Sequence, residues 1–384
     1  IYAKDQASDA FRKVGREADT LAARLTQLGP SLTKALAGLG AGFGLSQVLK
    51  QAADYESAVV NMARVTDRSF GQVKADVAQL GPELGNQTEL MQGYYAVMSA
   101  GVTDSAQALD LLTVASKGSK AAGVTQAQTI TALTKLMAGY AGEIKSATEA
   151  SDLLFSIEKQ GQTTFAELVP VIGDAAAISK QAGVSADEMA ATLSAITQTA
   201  GGTSQSVTQY RAVLTALVKP QKQMTALLSQ MGYQSGVALI QQKGLSGALL
   251  ALRDAAEKSG VGLGKLFESS EALTALGPLL ASDFERVGAN LDVMRAKSGA
   301  TEKAFGNWRN TLAGLRETTA NLFADLATQT GNIVAPRAAD GLRALNDALT
   351  WLRDNFDAVV QVAGGVAVAL TALGVMQRAG ASDT

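Results

Sequence analysis

The sequence contains no cysteine and no histidine. Without cysteine there is no disulfide, no thiolate nucleophile and no sulfur ligand for zinc, and a reducing compartment is the natural fit. Without either residue, Ser-His-Asp and Cys-His catalysis, His/Cys zinc sites and the HExxH metalloprotease are all excluded. Aromatic residues are scarce at 5%, charged residues make up only 18%, and 33 basic against 35 acidic residues leave a net charge of −2. A chain with no basic excess has no general field to gather nucleic acid. No cofactor, no small-molecule substrate and no sequence-specific nucleic acid partner is expected.

Hydrophobic residues nevertheless make up 47% of the 384 residues, so with few aromatics the apolar content is mostly Ala, Leu and Val. That composition favours many small helices over a β-sandwich, and 38 glycines punctuate them. The expected fold is all-α: a compact domain of short antiparallel helical hairpins, flanked by heptad-patterned, coiled-coil-like helices. The pattern divides the chain into 1–32 (heptad helix), 33–84 (glycine-rich junction and helices), 85–300 (helical core), 301–357 (amphipathic heptad helices) and 358–384 (apolar segment). The start at Ile1 and the end shortly after an apolar run read as a section of a longer protein.

Three apolar seams step by alternating three and four residues, the 3.5-residue period of a coiled coil rather than the 3.6 of a straight helix. The first runs through Ala7, Phe11, Val14, Ala18, Leu21, Leu25, Leu28 and Leu32. The second runs through Trp308, Leu312, Leu315, Thr319, Leu322 and Leu326. After a break at Gly331–Pro336, the third follows Leu342, Leu345, Leu349, Leu352, Phe356, Val359, Ala363, Val366, Leu370 and Leu373. These seams are candidate self-association surfaces; the alternative is an amphipathic helix packed on its own core. From Ala358 to Met376 charge disappears from every face, which marks Val359, Val360, Val362, Val366, Val368, Leu370, Leu373 and Val375 as membrane candidates. The run is about 19 residues, near the lower limit for a span, and its glycines and alanines would equally suit a tight helix bundle.

Between the seams the chain repeats one device. Ala100-Gly-Val-Thr103, Ala122-Gly-Val-Thr125 and Ala182-Gly-Val-Ser185 each offer a glycine for the left-handed position after a helix, an apolar residue to pack back, and a hydroxyl to cap the next helix. Ser146 with Glu149, Thr164 with Glu167 and Ser185 with Glu188 have capping-box spacing. Helices this short must pack on one another to persist. Gly236–Gly244 is the one stretch that reads as a short strand. The glycine-rich Leu36–Leu45 lacks the strand before it that a dinucleotide loop needs, so a helix junction is expected.

From Gln51 to Leu280 the order of features resembles the core region of phage tail tape measure proteins. The matching pieces are Ala53-Asp-Tyr-Glu56 with Met62, Gly81–Gly85, Ser99-Ala-Gly101, Gln181-Ala-Gly-Val184 with Leu193, and Gly201-Gly-Thr203. Leu217-Val-Lys-Pro220, Leu228-Ser-Gln-Met-Gly232, Leu266-Phe267 and Ala272-Leu273 follow in turn. The resemblance implies a multi-copy filler of the tail tube that sets tail length and leaves ahead of DNA at infection. Its implied partners are itself, tail tube and tail-tip or baseplate hub proteins, and the host inner membrane. Its implied locations are the tail lumen of the virion, the host cytoplasm during assembly, and that membrane after ejection. The alternative function is a membrane-active channel in a phage or phage-like particle. Were every residue helical the chain would reach about 580 Å at 1.5 Å per residue, but the glycine- and proline-broken middle cannot form such a rod.

Enzymatic readings are weak. Glu268-Ser269 and Leu90-Met-Gln92 resemble lytic transglycosylase pieces but stand in the wrong order and far apart. Gly264-Lys265 lacks the leading glycine and the following hydroxyl of a P-loop. Carboxylates such as Glu56, Glu143 and Glu167 sit where capping or solvation is expected. A non-enzymatic structural protein is expected.

Overall fold

The computed structural model describes residues 45–329, apart from 63, 64, 66–68 and 283. The seam residues Phe11, Val14, Leu21, Leu25 and Leu28, the seam Leu342–Phe356, the apolar segment 358–384 and most of the glycine-rich junction lie outside the described residues. Residues 54–325 form one compact unit. A second comprises 1–53 and 326–384; its described residues, 45–53 and 326–329, are helical.

Every regular element among the described residues is an α-helix, with no strand among them. The first helices are α1 (Leu45–Met62), α2 (Phe70–Val77), α3 (Gln87–Ser99), α4 (Ser105–Ala122), α5 (Gln126–Gly139) and α6 (Ala147–Gln160). Successive members of α2 to α6 pack on one another as hairpins, and α4 also packs on α6. A second group follows: α7 (Phe165–Leu168), α8 (Ile172–Ala182), α9 (Ala186–Thr197), α10 (Thr203–Val218), α11 (Lys222–Gln230), α12 (Gly236–Ser259), α13 (Leu263–Leu266), α14 (Ser270–Ala281), α15 (Glu285–Arg295) and α16 (Ala300–Arg309).

Helix α9 is the centre. Every residue from Met189 to Thr197 is buried, and α6, α8, α10 and α15 surround it. A helix screened on all sides needs short side chains so that its neighbours can approach. Ala190, Ala191, Ser194 and Ala195 supply them, and the Ser194 hydroxyl is satisfied by donating to the Ala190 carbonyl at 2.8 Å. Helix α16 belongs to the same unit, packing on α4 and α6. The buried Asp152 of α6 holds its first turn, accepting from the amides of Gly299 at 2.8 Å and Thr301 at 2.7 Å.

The repeated turn folds as its residues demand. Gly101, Gly123 and Gly183 adopt φ of 91°, 68° and 76°, a region where any side chain would be strained. The amides of Val124 and Val184 reach back to the carbonyls of Ser119 and Ser179, closing the helix ends. Thr125 and Ser185 cap α5 and α9. At the first turn the cap is Asp104 rather than Thr103, because the carboxylate accepts from the Gln107 amide at 2.9 Å. Of the three capping boxes, only Thr164 with Glu167 closes in both directions. Glu149 turns to the Lys145 amide instead.

Glu188 leaves its own helix altogether. It accepts from the amides of Leu245 at 2.5 Å and Ser246 at 3.3 Å. These start the second half of α12, which breaks at Gly244 with φ 70° and ψ 174°. The short strand expected over Gly236–Gly244 is therefore wrong: the stretch is the first half of α12. Ser235 caps it by accepting from the Ala238 amide, and its apolar residues form a helical stripe of Gly236, Leu239 and Ile240 on the core.

Candidate interaction surface after Thr311

Beyond α16 the chain turns at Asn310 and Thr311 and re-enters helix over residues 312–329, here α17. The turn is made by one side chain and one missing side chain. The Thr311 hydroxyl donates to the Trp308 carbonyl at 2.7 Å and accepts from the Gly314 amide at 3.1 Å, ending one helix and starting the next. Gly314 lies so close to the end of α16 that a Cβ there would stand 2.4 Å from the Trp308 carbonyl oxygen.

From 312 to 325, helix α17 is polar where it meets the rest of the unit and apolar where it faces water; beyond, Ala327 and Thr328 are buried. Asn321 donates from Nδ2 to the Pro82 carbonyl at 2.9 Å. Asp325 accepts from the amide of Gln87, the first residue of α3, at 2.7 Å. The Lys120 ammonium of α4 bridges Glu89 of α3 at 2.8 Å and Glu317 of α17 at 2.5 Å. Burial alone would make Lys120 easier to deprotonate, but its bonds to Glu317 and Glu89 outweigh that and raise its pKa. Burial raises the Asp325 carboxyl above the usual range, against the lowering effect of the Gln87 amide. Beside this clasp Trp308, Glu317, Lys120, Glu89, Gln92 and Gln126 line a cleft of about 440 Å³.

On the outer face Leu312 is 83%, Leu315 57% and Leu322 49% exposed. Phe323 and Leu326 are exposed too, and among the described residues the only other large apolar side chain so exposed is Val60. In heptad terms the leucines occupy the a and d positions, whereas Gly314, Glu317 and Asn321, turned toward the unit, occupy c and f. The unit thus takes the face that a coiled coil gives to solvent, and the seam points outward.

Trp308 behaves differently from the leucines that follow it. It stacks on Phe305 at 5.7 Å between ring centroids and is half-buried against the core. The spacing in the sequence did not single out Phe323, nor Lys120, Glu89, Asn321 and Asp325, which set the orientation of α17. The only signal for Lys120 was a lysine near the end of a helix otherwise rich in small residues. Carboxylates capping distant helices recur: besides Asp152, Glu188 and Asp325, Glu143 accepts from the Ala186 amide at 2.7 Å. Burial raises the carboxyls of Glu143 and Glu188 as well. Among the described residues no acidic cluster could hold a metal ion, and no helix is long and apolar enough to cross a membrane.

A protein-family model described as phage-related minor tail protein matches residues 74–276. That stretch runs from α2 to α14, ending before α15, α16 and α17. No curated protein and no solved structure matches the chain.

Proposed function

Since the chain belongs to the family of phage-related minor tail proteins, whose role in the virion tail is structural, we propose that it is a tape measure protein. In this reading several copies fill the tail tube, set its length during assembly and leave ahead of DNA. The observation that carries it is the outward seam of Leu312, Leu315 and Leu322 on α17, an apolar face turned to water where, Val60 and Phe323 apart, the other large apolar side chains described in the unit are buried or half-buried. Copies joined through such faces would lie side by side along an axis. The self-association residues proposed are Phe11, Val14, Leu21, Leu25 and Leu28, the α17 leucines, and Leu342, Leu345, Leu349, Leu352 and Phe356. Tube and tail-tip or baseplate proteins are the proposed neighbours.

Quantitative mass spectrometry of purified tails before and after triggered ejection tests the proposal. The expected result is several copies per tail beforehand and loss of the chain with the DNA. A single copy, or a chain that stays behind, refutes it. The charge-free run Ala358–Met376 favours a second reading, a bilayer channel made on arrival at the host inner membrane. Dye release from liposomes that depends on this run supports it, and unchanged release after its deletion removes it.

A further inference from the structure

The seam that faces water in α17 is in phase with residues that face the core in α16. Thr301, Phe305, Trp308, Leu312, Leu315, Thr319, Leu322 and Leu326 step by four and three without interruption across the break at Asn310 and Thr311. Thr301 and Phe305 are buried and Trp308 half-buried, whereas Leu312, Leu315 and Leu322 look outward. Neither Asn310 nor Thr311 is proline or glycine. Asn310 itself keeps right-handed helical angles, with φ −85° and ψ −2°. The break is thus made by the Thr311 cap and the close approach at Gly314, inside a seam patterned as one helix.

Over residues 312–325 the bonds that tie α17 to the unit are polar: the Lys120 bridge to Glu317, the Asn321 bond to Pro82 and the Asp325 bond to Gln87. Each of these groups can be satisfied by water, and Lys120 would keep Glu89. The cleft beside the bridge admits solvent to it. By contrast α16 is held by the buried Asp152 and the buried Phe305 ring. Interfaces that open are polar, and those that stay shut are apolar. We propose that residues 300–325 form a two-state strap. In one state α17 is folded back on the unit. In the other it swings out, the break closes, and α16 and α17 become one helix carrying an unbroken seam.

The device stands whether or not the protein fills a tail tube. Two positions bias it in opposite directions. Gly314→Ala clashes with the Trp308 carbonyl in the folded-back state, whereas a straight helix prefers alanine. Leu312→Pro suits the first turn of α17 but cannot lie inside a continuous helix.

The chain lacks cysteine, so Gln79→Cys and Ala320→Cys, both on exposed positions, take spin labels without background in this 384-residue chain. Ala320 lies nine residues past Thr311, about 13 Å along the helix axis at 1.5 Å per residue, so opening lengthens the label separation by about 10 Å or more. The parent at low salt should give one short distance. Gly314→Ala combined with Lys120→Met, or high salt, should add a longer one with helical circular dichroism undiminished. Leu312→Pro should restore the short distance alone. A single short distance in the folded Gly314→Ala/Lys120→Met protein overturns the proposal. So does a long distance that persists with Leu312→Pro or comes with lost helicity, since that would be melting rather than straightening.

Discussion

Replacing Leu315 and Leu322 together by aspartate separates an interface from a core. In the isolated chain these side chains are 57% and 49% exposed, so each gives up only about 1 kcal/mol of burial on substitution. The thermal midpoint should move by no more than a few degrees, as the 272 residues of the unit 54–325 spread that loss over a large unfolding entropy. Association is another matter. The exposed parts of Leu312, Leu315 and Leu322 amount to about two whole leucine side chains, so covering them with another helix would gain roughly 3–6 kcal/mol per copy. Bringing two copies together costs about 4–15 kcal/mol, so the stripe decides whether they stay together. Two aspartates remove more than half of that gain and set like charges across the seam. The dissociation constant should rise at least ~100-fold, the equivalent of about 2.7 kcal/mol. Analytical ultracentrifugation across a concentration series reads this directly. A double variant that associates as the parent does, or one that unfolds, refutes the outward seam.

Removing the buried carboxylate in Asp152→Ala strands the amides of Gly299 and Thr301 and should cost about 2–4 kcal/mol, measured by urea unfolding. Gly236→Ala, whose Cβ would stand 2.4 Å from the Leu217 carbonyl oxygen, should destabilise by about 1–3 kcal/mol, whereas Gly288→Ala, with nothing within 4 Å, should stabilise by about 0.5–1 kcal/mol. Burial raises the carboxyls of Asp110, Glu143, Glu158, Glu188 and Asp325 above their ordinary values. The folded chain therefore holds these protons more tightly than the unfolded one, and stability grows as pH falls through the folded values toward the unfolded ones. The midpoint near pH 5 should equal or exceed that at pH 7, and a fall on mild acidification would contradict the burial of these groups.

The readable parts of the sequence were those fixed within one turn of chain. The Ala-Gly-Val turns name their glycine conformation and, at two of three, their cap, because those interactions span five or six residues. The cap moved to Asp104 because a carboxylate lies one step beyond Thr103. Gly236–Gly244 misled because Val237–Ile240 is a short apolar run in a stretch bounded by glycines, which a strand and a buried helix share; only packing on Leu239 and Ile240 decides for a helix. Glu188 had capping-box spacing but was drawn to Leu245, 57 residues away. The seam on α17 was legible as a period, but not its direction. That depends on Lys120, Pro82 and Gln87, some 200 residues upstream, where nothing in the local pattern announces a partner.

Helix α9 carries a last implication. A 272-residue unit has a radius of gyration of roughly 18 Å, so a globule of that kind is roughly 45–50 Å across. Any duct slimmer than this admits the chain only once the globule has come apart. With its middle helix walled in by α6, α8, α10 and α15, shedding one neighbour wets that helix and undermines the others. Passage would then be a single concerted melt followed by threading, and the force or time it demands would be set by this one hidden rod.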